Sequence, residues 1–153
     1  MYSKQEASKL REEFWTAFGQ YMSPVSSAEQ VKINWLNYKT GIRYINFRLH
    51  ADNKTARIAI EITHPDPLIR EIFFDQFLQL KKLLHAQLAE EWTWVASHHN
   101  ETGKQISMIY TEVPHVNIFS KAQWPELISF FKPRIIALDE FWSSAKYAFE
   151  ALM

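Results

Sequence analysis

Arg43-Tyr44-Ile45-Asn46-Phe47-Arg48-Leu49-His50-Ala51, the turn Asp52-Asn53-Lys54-Thr55, and Ala56-Arg57-Ile58-Ala59-Ile60-Glu61-Ile62-Thr63 decide the fold. On each side of the turn, apolar residues alternate with other residues at a period of two. β-Branched and aromatic residues at that period, broken by turn-forming residues, signal an antiparallel hairpin. If Ala51 opposes Ala56, then Leu49 meets Ile58, Phe47 meets Ile60 and Ile45 meets Ile62 on one face. The other face pairs His50 with Arg57, Asn46 with Glu61 and Tyr44 with Thr63. The register therefore separates the residues that build the core from those free to do something else.

Outward from the hairpin, the chain reads as alternating helices and strands. Leu10, Phe14, Ala17, Phe18 and Tyr21 recur at helical spacing, and Ser23-Pro24 ends that helix. Val31, Ile33 and Trp35 alternate within Ser26 to Tyr38, so a short strand or an extended packed segment is expected there. Asp66 with Pro67 behind it reads as an N-cap with proline at the first helical position. From there Ile69, Phe73, Phe77, Leu80, Leu84 and Leu88 form a stripe through one long helix to about Glu90. A second hairpin follows, Trp92 to His99 and Lys104 to Val113 around Asn100-Glu101-Thr102-Gly103. Its bulky groups fall on both faces, which suggests a strand pair covered on both sides. After a connector to Ser120, a last helix spans about Gln123 to Ala151, and Pro133 is expected to kink or split it.

The reading is thus an α+β domain, 1–153, in helix-hairpin-helix-hairpin-helix order, with helices packed on a mainly antiparallel sheet of two β-hairpins. Composition supports a well-packed single domain: the chain is 47% apolar, with 11 Phe, 6 Trp and 6 Tyr. Lys plus Arg equals Asp plus Glu at 17 each, so no global charge calls for a polyanionic partner. With no cysteine, disulfides, thiolate metal sites and Cys nucleophiles are excluded. No apolar run is long enough for a membrane span, and the N-terminal residues do not resemble a signal peptide. A cytoplasmic protein with no membrane association is expected.

Arg11-Glu12-Glu13-Phe14-Trp15, Asn34-Trp35 with Tyr38-Lys39-Thr40-Gly41, Trp124-Pro125, and Leu138-Asp139-Glu140-Phe141-Trp142 carry a resemblance across nearly the whole chain. Together they resemble a bacterial family catalogued as a domain of unknown function. Its members are small proteins or C-terminal domains, sometimes found behind nuclease-like domains. The resemblance implies a single domain and an association with nucleic-acid metabolism, and it brings no catalytic residues with it.

The enzyme-like reading of the residues themselves centres on Glu61. Restriction-endonuclease-like nucleases hold Mg²⁺ with an acid followed by a strand bearing acid-x-Lys. Ala59-Ile60-Glu61-Ile62-Thr63 supplies the strand and the acid, but threonine stands in the lysine position. Asp52, in the hairpin turn, lies roughly 30 Å away at strand rise, too far to share a metal with Glu61. His98 and His99 are adjacent, and in a strand they point to opposite faces. Asp66 is explained by capping. No metal, cofactor or catalytic residue is assigned.

The best patch outside the core is aromatic and basic: Trp35, Tyr38, Lys39, Arg43, Tyr44 and Arg48, with Arg57. From it Tyr44, Arg48, Arg57 and Glu61 are taken as ligand-binding residues on the polar hairpin face. Phe73, Phe74, Phe130, Phe131, Phe141 and Trp142 exceed what one helical stripe needs, so a homodimer through helical aromatics is expected. A protein or nucleic acid is the other candidate partner. The expected role is a non-catalytic binding or interaction module. The alternative is a divergent restriction-endonuclease-like nuclease, or nucleic-acid-associated domain, using Glu61.

Overall fold

A computed structural model describes residues 3–152. The chain runs α1 (Lys4–Met22), β1 (Ile45–Ala51), β2 (Thr55–Ile62), α2 (Pro67–Gln79), α3 (Lys81–Leu88), β3 (Thr93–His99), β4 (Gln105–Pro114) and α4 (Trp124–Glu150). The four strands form one antiparallel sheet in the order β1-β2-β4-β3. β1 and β2 pair with Ile45 opposite Ile62, Phe47 opposite Ile60 and Leu49 opposite Ile58, the register read from the alternation. Asp52 fixes the turn, because Oδ1 accepts from the amides of Lys54 and Thr55 at 2.8 Å each. It thereby sets which face every later residue occupies.

The helices pack on the isoleucine face. Ile58, Ile60, Ile62 and Ile109 join Phe77, Leu84, Phe131, Leu138, Trp142 and Phe149 in one core. Trp142 on α4 meets Phe47 edge-on at 5.7 Å and stacks on Phe77 of α2 at 6.1 Å. α1 packs farther out, with Phe14, Trp15 and Phe18 around Phe131 of α4. All six aromatics on which a homodimer was expected lie buried inside this one chain. α4 is surrounded by α1, α2, α3 and the sheet, so it needs several apolar faces rather than one.

One local expectation is corrected, that of a single helix after Pro67, and two that left alternatives lose one branch each. The segment between α1 and β1 contains no strand. Its polar main-chain groups are satisfied by side chains instead: Trp35 Nε1 donates to the Val25 carbonyl, and Ser27 Oγ accepts from Val31 N–H. The long helix after Pro67 breaks at Leu80, where the Leu80 amide bonds the Phe77 carbonyl in a tightened turn. The apolar stripe continues in phase through that break, which hides it from periodicity. Pro133 does not split α4, which is continuous through it. Arg134 Nη1 donates to the Phe130 carbonyl at 2.9 Å, supplying a side-chain partner beside the interrupted ladder.

The second hairpin meets the expected double covering only on β4, where Ile106, Ser107, Met108 and Ile109 are all buried, while β3 is largely open. Ile106 and Met108 are buried yet lie outside the helix-packed core, on the opposite side of the sheet with Ala59 and Glu61. A register shift between Val95 and His98 bends β3 there. Among the described residues, no helix is long and apolar enough to cross a membrane.

Candidate functional site

Strand alternation places Asn46, Arg48 and His50 of β1 on the face away from the helices, beside Arg57, Ala59 and Glu61 of β2. On β4 the neighbours of Arg57 and Glu61 are Glu112 and Met108. At the centre of this face, Glu61 is only 8% exposed. Among the described residues its carboxylate makes no hydrogen bond or ion pair, and its oxygens are not sealed off but open to the neighbouring cavity. Burial pushes its pKa up, while the charges of Arg48 and Arg57 pull it back. Glu101 adds to the rise and His98 opposes it.

A cavity of about 270 Å³ opens beside Glu61, bounded by Arg57, His98, His99, Glu101 and Met108. The guanidinium of Arg57 is loosely held, with Glu112 at 3.8 Å and Glu101 at 4.0 Å. Both distances are long for charge-assisted hydrogen bonds, so its donors remain open to a ligand. His98 and His99, expected on opposite faces, both line the cavity. They sit where β3 leaves its register and enters the turn, so strict alternation no longer governs them. Glu101 is a residue that sequence reasoning missed; it lies in that turn, and only the turn's fold-back brings it near Arg57.

Arg48, Arg57 and Glu61 are thus brought together, whereas Tyr44 stands apart. Its backbone is left-handed, φ +72°, at the start of β1. Its ring meets His64 edge-on at 4.6 Å, with the Arg43 guanidinium 4.8 Å from the ring centre. Asp52 is engaged in the turn and in a 3.5 Å contact with His50. Burial would raise its pKa, but the Lys54 and Thr55 amides together with His50 hold it below the usual value. Asp66 caps α2 by accepting from the Leu68 amide at 2.9 Å. Among the described residues, no three His, Asp or Glu side chains converge so as to hold a metal ion.

The motifs quoted at the sequence level meet at a second place. Asp139 of α4, 4% exposed, accepts from the Ala28 amide at 2.7 Å and from the Tyr38 hydroxyl at 2.5 Å. Burial raises the Tyr38 phenol far above its usual range, and the Asp139 carboxylate raises it further. Trp142 Nε1 donates to the Thr40 carbonyl at 2.7 Å. Thr40 Oγ1 donates to Ile45 O at 2.7 Å, tying the segment to β1. The aromatic and basic patch read from sequence proximity is therefore divided. Trp35 and Tyr38 join this buried cluster, Arg43 and Tyr44 stay at the strand end, and Arg48 lies on the open face.

No curated protein and no solved structure matches the chain at a significant level. Residues 10–146 match a domain of unknown function, DUF4268. That match spans both the sheet face and the Tyr38–Asp139 cluster, and the chain belongs to the DUF4268 family.

Proposed function

We propose that this domain is a non-catalytic binding module that uses the helix-free face of its sheet to hold single-stranded nucleic acid. The observation that carries this reading is Glu61, a residue more than nine-tenths buried whose carboxylate has no hydrogen-bond partner among the described residues and opens into a cavity. A partly desolvated carboxylate that no protein donor reaches is suited to a ligand that supplies N–H groups. The exposed edge of an unstacked base offers such donors. Arg48 and Arg57 flank it and suit phosphate contact or stacking on a base. The nuclease-like domains associated with the resembling family are consistent with a nucleic-acid partner.

The test is fluorescence anisotropy of a labelled single-stranded oligonucleotide in EDTA and low salt. Binding is expected, and Arg48→Ala combined with Arg57→Ala should weaken it by about tenfold or more, the loss of roughly 1.4 kcal/mol. Their charges offset the burial of Glu61, so the double variant should lose some stability, and binding is compared at a temperature well below its Tm. No binding, or equal affinity in the double variant, would sink the reading. The nuclease alternative rests on Glu101, the other carboxylate lining the Glu61 cavity. Mg²⁺-dependent cleavage of the same oligonucleotide, lost in Glu61→Gln, would establish that alternative in place of binding alone.

A further inference from the structure

The segment that Asp139 clamps also builds a cavity of about 430 Å³ against α4, with Lys32, Lys39 and Lys146 around it. Cavities of this size take small organic molecules. The charges around it do not cancel. Lys146 is engaged by Glu29 at 2.9 Å, and Asp139 is engaged by Ala28 and Tyr38. Among the described residues, Lys32 and Lys39 make no ion pair or hydrogen bond. Three lysines against Glu29 and Asp139 thus leave this concavity of a formally neutral chain with a net positive charge.

The wall beside them is apolar. Val31 is left 54% exposed, and Ile33 and Trp142 continue the lining. The scaffold is rigid although it has no helix or strand. Ser27, Trp35, Tyr38 and Thr40 each tie it down through a side-chain hydrogen bond. Lysines that served only solubility would need neither a fixed concavity nor an exposed valine beside them. Irregular segments held firmly on a scaffold are where ligand contacts concentrate.

We propose that this cavity binds a small organic phosphate. Its dianionic head is held by Lys32 and Lys39, which act as compact point charges. Its apolar body lies on Val31 and Ile33, and the cavity is separate from the sheet-face site.

Isothermal titration of the full chain with 1-naphthyl phosphate, inorganic phosphate, 1-naphthol and 1-naphthoate tests this. Naphthyl phosphate should bind about tenfold or more tightly than phosphate or naphthol, because only it engages both the charge and the apolar wall. Lys32→Ala with Lys39→Ala should lower that affinity about tenfold or more, while Lys32→Arg with Lys39→Arg keeps most of it. Both lysines are exposed, so the fold should survive the change, as read by an unaltered Tm. Arg48→Ala with Arg57→Ala should leave the affinity unchanged, which separates this site from the sheet face. No saturable binding, or equal affinity in the double-alanine variant, would overturn the site. Naphthoate binding as tightly as naphthyl phosphate would overturn the choice of a phosphate.

Discussion

Glu61 and Asp139 are both acidic residues more than nine-tenths buried, and their carboxylates are treated in opposite ways. Asp139 accepts from a backbone amide and a phenol, and it holds a segment without regular structure against α4. Among the described residues Glu61 accepts no hydrogen bond, and it faces a cavity on the side of the sheet away from the helices. Only Asp139 carries hydrogen bonds that offset its burial, whereas Glu61 has the open cavity and the nearby charges of Arg48 and Arg57. A satisfied buried carboxylate is explained by the fold. An unsatisfied one asks for a ligand, and the two differ in what their removal should do.

The largest expected effect comes from Phe47, which joins the two regions. Its ring stacks on Tyr38 at 5.0 Å, and its strand neighbours Asn46 and Arg48 lie on the Glu61 face. Phe47→Ala should cost about 3–5 kcal/mol in chemical denaturation and disturb both sites together. A change of only a few tenths would mean the two regions are not coupled through this ring. Next in size, Asp139→Ala leaves the Ala28 amide and the Tyr38 hydroxyl unpaired. It should cost about 2–4 kcal/mol. Stability within about half a kcal/mol of the parent would remove the contrast with Glu61.

The smallest effect has the opposite sign. The folded-state pKa of Glu61 is raised above the usual 4.5, so the folded chain holds this proton more tightly than the unfolded chain does. Its ionisation therefore weakens the fold. The cost is absent below the usual value, grows as pH rises through it, and is complete above the raised value. Glu61→Gln should raise Tm at pH 7, with the gain fading as pH falls below the glutamate range. A gain that does not vary with pH, or a loss at pH 7, would mean that Glu61 is stabilised by partners as Asp139 is.

Legibility in the sequence followed the range of the interaction. The first hairpin could be read to the residue because alternation and a turn are local, and Asp52 closes that turn through its next neighbours. The N-cap at Asp66 was legible for the same reason. The break at Leu80 was not, since the apolar stripe stays in phase across it and neither glycine nor proline marks it. Tyr44 was grouped with Arg48 by strand parity, but a left-handed backbone at the strand's start lies outside that rule.

Local chemistry alone determined which face of β1 and β2 is apolar, and hence that Arg48, Arg57 and Glu61 share the other. Whether that face is covered depends on where the helices dock, and this is set by packing between residues far apart in the chain. The pairing of Tyr38 with Asp139, 101 residues away, was decided in the same way. So was the return of Glu101 to Arg57. Periodicity reports which side of an element is apolar; it carries no information about which distant donor will reach a buried oxygen, and that is what separates Asp139 from Glu61.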